Sequence, residues 1–399
     1  MIETAPLWTY AEINPATPEF KLLGDGTQVP FMPLEAIWPG GRADYSHSLS
    51  WSSKQSYTQF RKGDILVPKI TPTFEAGRAI VADIPSILGL ASTEVHVVRP
   101  NCSADSRFLQ YCFQSVPFLS EGACSLRGVG NLRRVTPYFV QNHKILRASL
   151  NTQRAIADYL DRETGEIDAM TAKMDLLAEK LEVRRISAIR RSTQYAEDDI
   201  LWRVVPTAHL FASIGSGTTP KGAEYYVENG TGIPWVTTSE LRENLITSTL
   251  QDVTEKAVTA FSSLRIHPRG AIIIAMYGAT IGRLGILGTD ATTNQACCVF
   301  SGPRDVDPRF FYYSLWGQRD DIIREATGGG QPNINQGMLR RWRVPHPPIE
   351  EQRRIVGYLD QIIGKIDTML AKVAELKSLL IERRAALITD VVTGRKKIA

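Results

Sequence analysis

The sequence predicts a mixed α/β (α+β) protein that contains a pseudo-two-fold internal repeat, with two globular domains each followed by a long helix. The segment Gln153–Ile189 returns as Gln352–Ile388 at a constant offset, and nearly half of the aligned positions are identical. A duplication near half the chain length implies two similar units. The predicted boundaries are 1–149 for the first globular domain, 150–192 for the first helix, 193–348 for the second globular domain and 349–399 for the second helix with its basic tail.

Apolar residues in both repeated segments recur alternately three and four positions apart. In the second copy this stripe runs from Ile355 to Leu387, and Arg184 and Arg383 fall at the same stripe position in the two copies. A period of 3.5 residues over this length favours an antiparallel coiled coil between the two helices. The alternative is that each helix packs only on its own domain. A helix of this length is about 55 Å long, enough to act as a spacer between two domains.

The two globular segments share a fainter series of landmarks. Each has a proline-containing strand, a glycine turn before a buried strand, an aspartate that begins a capped helix, and a Leu-Arg-Arg triplet. The pairs are Val29–Met32 with Ile233–Val236, Arg61–Val67 with Pro268–Ile274, Ala91–Val97 with Thr293–Val299, Asp105–Tyr111 with Asp307–Tyr313, and Leu132–Arg134 with Leu339–Arg341. The segments 36–60 and 240–265 differ, as expected of two modules that recognise different targets.

Composition favours a soluble protein of a reducing compartment, so we expect a cytoplasmic location. The N-terminus lacks a signal-peptide pattern, and the longest strongly apolar stretch, Ala271–Tyr277, is too short to cross a bilayer. Five cysteines without CxxC spacing argue against a disulfide framework or a zinc site. The net charge of +4 is weak evidence for nucleic acid, so a DNA-binding surface has to come from local clustering of basic residues.

No recognisable catalytic motif is present in the sequence. The glycine run Gly328–Gly330 lacks the phosphate-loop pattern, and the six histidines have no metal-ligand spacing. There is neither a Walker A lysine nor the Asn-Pro-Pro-aromatic motif of adenine methyltransferases. We therefore predict a non-enzyme that holds no metal or cofactor.

Several motifs resemble the specificity (S) subunit of Type I restriction–modification systems. They are Gly328–Ile334, followed by Arg343–Gln352 and Ile355–Leu359, together with Gly217–Pro220 before Ile233–Val236. The resemblance covers essentially the whole chain, as target recognition domain, helix, second target recognition domain and second helix. The first copy departs from the pattern, because Ala148–Gln153 stands where the second copy has Pro347–Gln352.

The resemblance implies a subunit that binds double-stranded DNA and carries no chemistry itself. Each target recognition domain would read one half of a bipartite, asymmetric site, while the coiled coil sets the spacing. The implied partners are two copies of the modification (methyltransferase) subunit and an ATP-dependent restriction subunit (translocase and nuclease). S-adenosylmethionine and ATP with Mg would be bound by those partners, and no membrane is involved.

Basic and amide side chains are the candidates for DNA contact, because they match phosphates and base edges. In the first domain they are Lys54, Lys69, Arg78, Arg127, Arg133 and Arg134. In the second domain they are Lys221, Arg242, Arg283, Gln331, Arg340 and Arg341. The candidates for docking of a partner protein on the helices are Tyr159, Lys173, Arg185, Tyr358, Lys372 and Arg384. For each of them an ordinary solvated surface side chain is the alternative.

Two other function classes stay open at this point. A fused or stand-alone DNA methyltransferase would turn over S-adenosylmethionine without a partner. A coiled-coil adaptor without DNA contact would show no salt-sensitive, sequence-dependent retention of DNA.

Overall fold

The computed structural model describes residues 2–130, 132–194, 201–326 and 333–398. The chain divides into two compact units: unit 1 comprises residues 1–175 and 374–399, and unit 2 comprises residues 176–373. The two long helices are therefore not separate domains. Each of them contributes one part to each unit.

Unit 1 contains the first globular domain, whose strands are short and whose helices cover the sheets. The strands are β1 Thr4–Pro6, β2 Ala11–Ile13, β3 Gln28–Met32, β4 Ile37–Trp38, β5 Arg42–Ala43, β6 Ser48–Ser50, β7 Thr58–Arg61, β8 Ile65–Pro68, β9 Ile80–Val81, β10 Leu88–Ala91, β11 Val95–Pro100 and β12 Lys144–Leu146. The helices are α1 Ser106–Phe113, α2 Val116–Cys124 and α3 Pro137–Asn142, with short 3-10 turns at Leu7–Thr9, Pro18–Leu22 and Leu34–Ala36. The sheets have the orders β2-β11-β8-β9, β6-β3-β10-β7, β1-β12 and β4-β5.

Unit 2 contains the second globular domain. Its strands are β13 Arg203–Pro206, β14 Phe211–Ser216, β15 Tyr226–Glu228, β16 Ile233–Val236, β17 Asn244–Ile246, β18 Gln251–Val253, β19 Ile272–Ala275, β20 Leu284–Leu287, β21 Thr292–Thr293, β22 Cys297–Pro303 and β23 Arg343–His346. The long helix α4, Leu150–Thr193, precedes this domain, whose own helices are α5 Thr207–Leu210, α6 Glu255–Ala260, α7 Pro308–Gly317, α8 Arg319–Arg324 and α9 Gln336–Arg341, with a 3-10 turn at Ala223–Tyr225. The second long helix is α10, Ile349–Val392. The sheets have the orders β14-β22-β19-β20-β17, β15-β18-β16-β21 and β13-β23.

The predicted landmarks occupy equivalent positions in the ladders of the two domains. In unit 1, β3 pairs parallel with β10 so that Met32 faces Ala91, and in unit 2, β16 pairs parallel with β21 so that Val236 faces Thr293. The central antiparallel ladders also match, because β11 pairs with β8 as β22 pairs with β19. The faint sequence similarity therefore corresponds to a shared sheet register.

The long helices pack antiparallel within each unit. In unit 1, a residue later in α4 pairs with a residue earlier in α10. Asp168 pairs with Arg384 at 3.0 Å, and Asp175 pairs with Lys377. In unit 2, Arg185 pairs with Asp367. The predicted antiparallel pairing of the two helices is confirmed.

The predicted stripe needs a correction near its ends and its middle. Arg184 and Arg383, expected along the stripe, are exposed, while the next residues, Arg185 and Arg384, are partly buried in ion pairs. Stripe positions such as Met170 and Met369 are about half exposed. The heptad seam is therefore not buried along its whole length, because the helix ends pack on the globular domains as well as on each other.

Both long helices contribute apolar side chains to the cores of the globular domains. In unit 1 the core includes Ile156 and Leu160 from α4 together with Ile388 and Val391 from α10. In unit 2 it includes Ile355, Leu359 and Ile363 from α10 together with Ile189 from α4. Each fully buried aliphatic side chain stabilises the fold by about 1.5–3 kcal/mol. Each domain is thus held by the start of its own helix and the end of the other one.

A buried glutamine begins each repeated segment and joins helix to domain. The Gln153 Oε1 accepts a hydrogen bond of 2.9 Å from the backbone N–H of Asp105, and its Nε2 donates to the Ala148 carbonyl at 3.0 Å. The Gln352 amide makes the equivalent bonds, accepting from the Asp307 N–H at 2.8 Å and donating to the Pro347 carbonyl at 2.8 Å. Both glutamines are fully buried. Each position needs one side-chain acceptor and one donor, which explains why both copies of the repeat have glutamine there.

The aspartates Asp105 and Asp307 cap α1 and α7, as the sequence predicts. Each accepts hydrogen bonds from the backbone N–H groups two and three positions later, at distances between 2.8 and 3.3 Å. Such a cap satisfies donors that have no partner inside the helix. The buried glutamine binds the backbone of this same capping residue, so it fixes where the helix begins.

We expect Gln352→Ala to lower the free energy of unfolding by about 1–3 kcal/mol, because it leaves a buried N–H and a buried carbonyl without partners. The urea midpoint of the full chain, followed by tryptophan fluorescence, measures this change. Gln361→Ala is the matched control, since Gln361 lies exposed on the same helix. Equal midpoints for the two variants would contradict the assigned role.

Candidate nucleic-acid interface

A hairpin at Arg127–Arg134 brings together several of the basic residues predicted for DNA contact in the first domain. Its ends are joined by two backbone hydrogen bonds, Arg127 N–H to Arg134 O at 2.9 Å and Arg134 N–H to Arg127 O at 2.8 Å. Gly128 has a φ of +126°, and a Cβ there would lie 2.9 Å from the Leu132 carbonyl oxygen. Only glycine therefore fits this turn.

Arg134 holds the base of this hairpin and is not free to bind a ligand. Its Nε and Nη2 donate to the two carboxylate oxygens of Glu94 at 2.8 Å each, and its Nη1 donates to the Leu132 carbonyl at 3.1 Å. The bidentate bond to Arg134 lowers the pKa of the Glu94 carboxyl. This geometry favours a structural role for Arg134.

Arg127, Arg133 and Lys69 lie around the same hairpin with their charged ends available. The Arg133 carbonyl accepts from the Thr71 N–H at 3.0 Å, and the Lys69 carbonyl accepts from the Val135 N–H at 2.8 Å, so the segment that follows β8 is bonded to the hairpin. Among the described residues, no carboxylate pairs with any of these three side chains. They form a local basic cluster that the net charge of the chain does not reveal.

The other two candidates of the first domain lie elsewhere. Lys54 is exposed in the turn between β6 and β7. Arg78 is partly buried, and its Nη1 donates to the Ile37 carbonyl at 3.3 Å. Lys54 is available for contact with a ligand, whereas Arg78 supports the β4–β5 turn.

The candidates of the second domain are more dispersed. Arg283 pairs with Glu243 at 3.2 Å, Arg242 donates from Nε to the Ser239 carbonyl at 3.2 Å, and Arg340 donates to the Ile214 carbonyl. Lys221 and Arg341 are exposed. Gln331 lies outside the described residues.

The two Leu-Arg-Arg triplets are not structural equivalents, contrary to the prediction. Leu132 is 62% exposed in the hairpin, whereas Leu339 is fully buried in α9. The true counterpart of α9 is α3, because Thr136 and Asn335 cap the two helices and each helix leads into the last strand of its domain. Sequence similarity over three residues was too short to fix this register.

The helix residues predicted to dock a partner fall into two groups. Arg185 and Arg384 face inward: Arg384 also donates to the Gln114 side chain at 3.4 Å, and the Arg185 guanidinium lies 5.9 Å from the ring centre of Trp316. Tyr159 accepts a hydrogen bond from Lys396 at 2.7 Å. These three residues are engaged within their units, whereas Tyr358, Lys173 and Lys372 are exposed.

Sequence reasoning missed a set of exposed apolar side chains on the long helices. In unit 1 they include Leu379 and Ile381, and in unit 2 they include Leu176 and Val183. These four residues lie outside the predicted stripe, and that displacement is the available signal in the sequence. Leu176 and Val183 share one face of α4, because they are seven residues apart, and exposed aliphatic residues on one helix face are typical of a protein-binding surface.

Burial shifts the pKa of two titratable groups in opposite directions. Burial raises the pKa of the Cys298 thiol to about 12, and it lowers the pKa of His96, whose Nε2 lies 3.0 Å from the Val135 carbonyl. Within the described ranges, no group of three or more His, Cys, Asp or Glu residues could hold a metal ion. In that same part of the chain, every helix is too short or too polar to cross a membrane.

We expect the hairpin to loosen when Glu94 loses its charge. Because the folded-state pKa of Glu94 is lowered, its stabilisation is complete above the ordinary glutamate pKa of about 4.3 and is lost as the pH falls through the lower folded value. Glu94→Gln should therefore accelerate amide exchange at Arg127 and Arg134 at neutral pH. Glu75→Gln, which alters an exposed glutamate in the same domain, is the control. Unchanged exchange in Glu94→Gln would contradict the role assigned to this ion pair.

Comparison with known proteins gives matches to one family. Residues 201–378 match the family described as Type I restriction modification DNA specificity domain. The chain is 26% identical over 218 residues to the EcoR124I/EcoR124II specificity subunit of Escherichia coli, covering 53% of this chain and 52% of that protein. It is 33% identical over 160 residues to the EcoAI specificity subunit of Escherichia coli, covering 39% of this chain and 26% of that protein. The chain thus spans about half the length of the first relative and about a quarter of the second.

Solved structures extend the likeness of fold over the whole chain. A chain from a structure concerned with complex assembly and conformational transition of the type I R-M system matches with a TM-score of 0.81 at 18% identity, covering 99% of this chain and 98% of that chain. The HsdS subunit from Thermoanaerobacter tengcongensis matches with a TM-score of 0.57 at 19% identity, covering 99% and 97%. Residues 201–378 are therefore similar in sequence to the Type I restriction modification DNA specificity domain, and the whole chain has the fold of the HsdS subunit.

Proposed function

We propose that this chain is the DNA sequence-specificity subunit of a Type I restriction–modification complex. The observation that carries the proposal is that two domains with the same ladder register differ in the segments between the shared elements. Two related but unequal domains on paired helices suit a bipartite target with two different half-sites. The coiled coil would set the distance between the half-sites.

The chain would act as a recognition subunit without catalysis of its own. Its partners would be two copies of a methyltransferase subunit, which bind S-adenosylmethionine, and an ATP- and Mg-dependent restriction subunit. Methylation of an adenine within duplex DNA requires the base to leave the stack and enter the pocket of the methyltransferase. All these components act in the cytoplasm, and this chain would need no cofactor.

The exposed apolar residues of the long helices support docking of the methyltransferase there. Leu379 and Ile381 in unit 1, and Leu176 and Val183 in unit 2, have no described core to cover them. The exposed Lys173 in unit 1, and the exposed Tyr358 and Lys372 in unit 2, would add polar contacts to the docking residues of their own units. The charged pairs of Arg185 and Arg384 would stabilise the helices instead of contacting the partner.

Exchange of residues 1–149 for the first domain of another family member should change only one half of the recognised sequence. The incoming domain should keep the contacts made by Asp105, Tyr111 and Gln114, since these hold the helices. The readout is a map of methylated adenines in cells that express the chain with its methyltransferase. The reciprocal exchange of residues 201–348 is the matched control. A change in both halves, or the absence of any bipartite motif, would contradict the proposal.

A seven-residue insertion in both helices should lengthen the preferred spacer. Insertion after Lys173 and after Ser378 keeps the antiparallel pairs in phase, because these points lie opposite each other between the pairs Asp168–Arg384 and Asp175–Lys377. Two added turns extend each helix by about 10 Å, or about three base pairs of DNA. The same methylation map should show unchanged half-sites separated by a longer gap. Insertion in α4 alone is the control and should prevent assembly. An unchanged spacer in the doubly extended chain would rule out the spacer role.

A further inference from the structure

The tip of the Arg127–Arg134 hairpin presents aliphatic side chains to solvent. Val129 is 90% exposed and Leu132 is 62% exposed. Gly128 and Gly130 both have positive φ angles, so the turn projects these residues away from the domain. A single exposed aliphatic residue is ordinary, but two such residues in one tight turn indicate that the turn contacts a ligand.

The hairpin is firmly held at its base. The Arg127 and Arg134 backbones bond to each other, the Arg133 carbonyl accepts from Thr71, and the Leu132 N–H donates to the Val129 carbonyl at 3.3 Å. The side chain of Arg134 crosses from Glu94 to the Leu132 carbonyl and so fixes the returning strand. These bonds fix the base of the hairpin, and with it the place from which Val129 and Leu132 project.

Positive charge surrounds the apolar tip. Arg127 and Arg133 flank it, and within the described residues neither side chain pairs with a carboxylate. The ligand that fits an apolar tip between two free guanidinium groups is one with an anionic exterior and an apolar interior. Duplex DNA has both, as phosphates outside and stacked bases inside.

We propose that the tip of this hairpin is a wedge that inserts Leu132 and Val129 between adjacent base pairs of the half-site bound by the first domain. Arg127 and Arg133 bind the phosphates on either side of the opened step. This inference rests on the proposed function, which makes duplex DNA the ligand of the domain. It adds a means by which the domain opens a base step in its half-site.

The second domain does not carry the same side chains. Val135 and Ile334 occupy equivalent places, since their backbone N–H groups donate to the Lys69 and Met276 carbonyls at 2.8 Å each. In the register they define, Val129 and Leu132 correspond in sequence to Gly328 and Gln331, which lie outside the described residues. The wedge therefore belongs to the first half-site alone, and the second half-site is an internal control.

The test uses the full chain with its methyltransferase and duplexes that carry the mapped site with 2-aminopurine at one position at a time. Because unstacked 2-aminopurine is brighter, we expect fluorescence to rise at one step of the first half-site away from the methylated adenine, which the methyltransferase itself unstacks. In the second half-site we expect a rise at the methylated adenine only. The double variant Val129→Ser/Leu132→Ser should abolish the rise at that step of the first half-site and weaken specific binding at least about tenfold. Leu22→Ser, which alters a highly exposed leucine of the same domain, should change neither.

A second variant separates the charges from the wedge. Arg133→Gln should keep the fluorescence rise at saturating protein and lower the salt dependence of binding by about one phosphate contact. Two results would overturn the wedge and leave the proposed function standing. One is specific binding with no fluorescence rise in the first half-site away from the methylated adenine, and the other is a rise at that step that survives Val129→Ser/Leu132→Ser. Loss of the methyltransferase from the complex in that variant also overturns the wedge, because the tip would then be a protein contact. Absence of sequence-specific binding by the native complex overturns the proposed function as well.

Discussion

The buried glutamine at the start of each long helix links the helix to the domain that precedes it. Gln153 and Gln352 bind the backbone of the residue that caps a second helix, and neither of them contacts water. A buried amide that loses one of its partners costs about 1–3 kcal/mol, so the position of the helix relative to the domain is strictly determined. The carboxylates eight residues further on complete the junction: Asp161 accepts from the Tyr111 hydroxyl, and Asp360 accepts from the Tyr313 hydroxyl, both at 2.7 Å.

The ends of the helices impose a second requirement, which links distant parts of the chain. The first domain is complete only when α10 returns to it, because Ile388 and Val391 lie in its core and Thr389 accepts from the Val116 N–H at 3.1 Å. The ion pairs along the helices add little stability by themselves, since partly exposed pairs contribute about 0–1 kcal/mol. Their value is in alignment: Asp168 with Arg384 and Asp367 with Arg185 select one antiparallel register over its neighbours.

The repeat, the antiparallel helix pair and the capped helices could be predicted from sequence because each leaves a periodic or paired signal. The inward orientation of Arg185 and Arg384 could not be predicted from sequence. A stripe of fixed period describes helices that pack on each other, but it does not show where a helix end packs on a globular domain instead. The Leu-Arg-Arg triplets were matched by composition, although one leucine is exposed and the other buried. Arg134 pairs with Glu94, whereas no carboxylate among the described residues pairs with Arg127. Because Glu94 is distant in sequence, only the folded structure distinguishes the two arginines.

The residues that the two units share and the residues that differ between them therefore have different physical roles. Residues repeated in both units, such as Gln153 with Gln352 and Asp161 with Asp360, satisfy buried polar groups and tolerate no change of chemistry without a loss of stability. The hairpin tip satisfies no such requirement, because the side chains of Val129 and Leu132 project into solvent and contribute little to the core. A turn whose base is fixed by backbone hydrogen bonds and whose tip is unconstrained can change its ligand contacts without altering the fold. The same scaffold can then present an aliphatic tip in one domain and a glycine-rich sequence in the other, which is what unequal half-sites require.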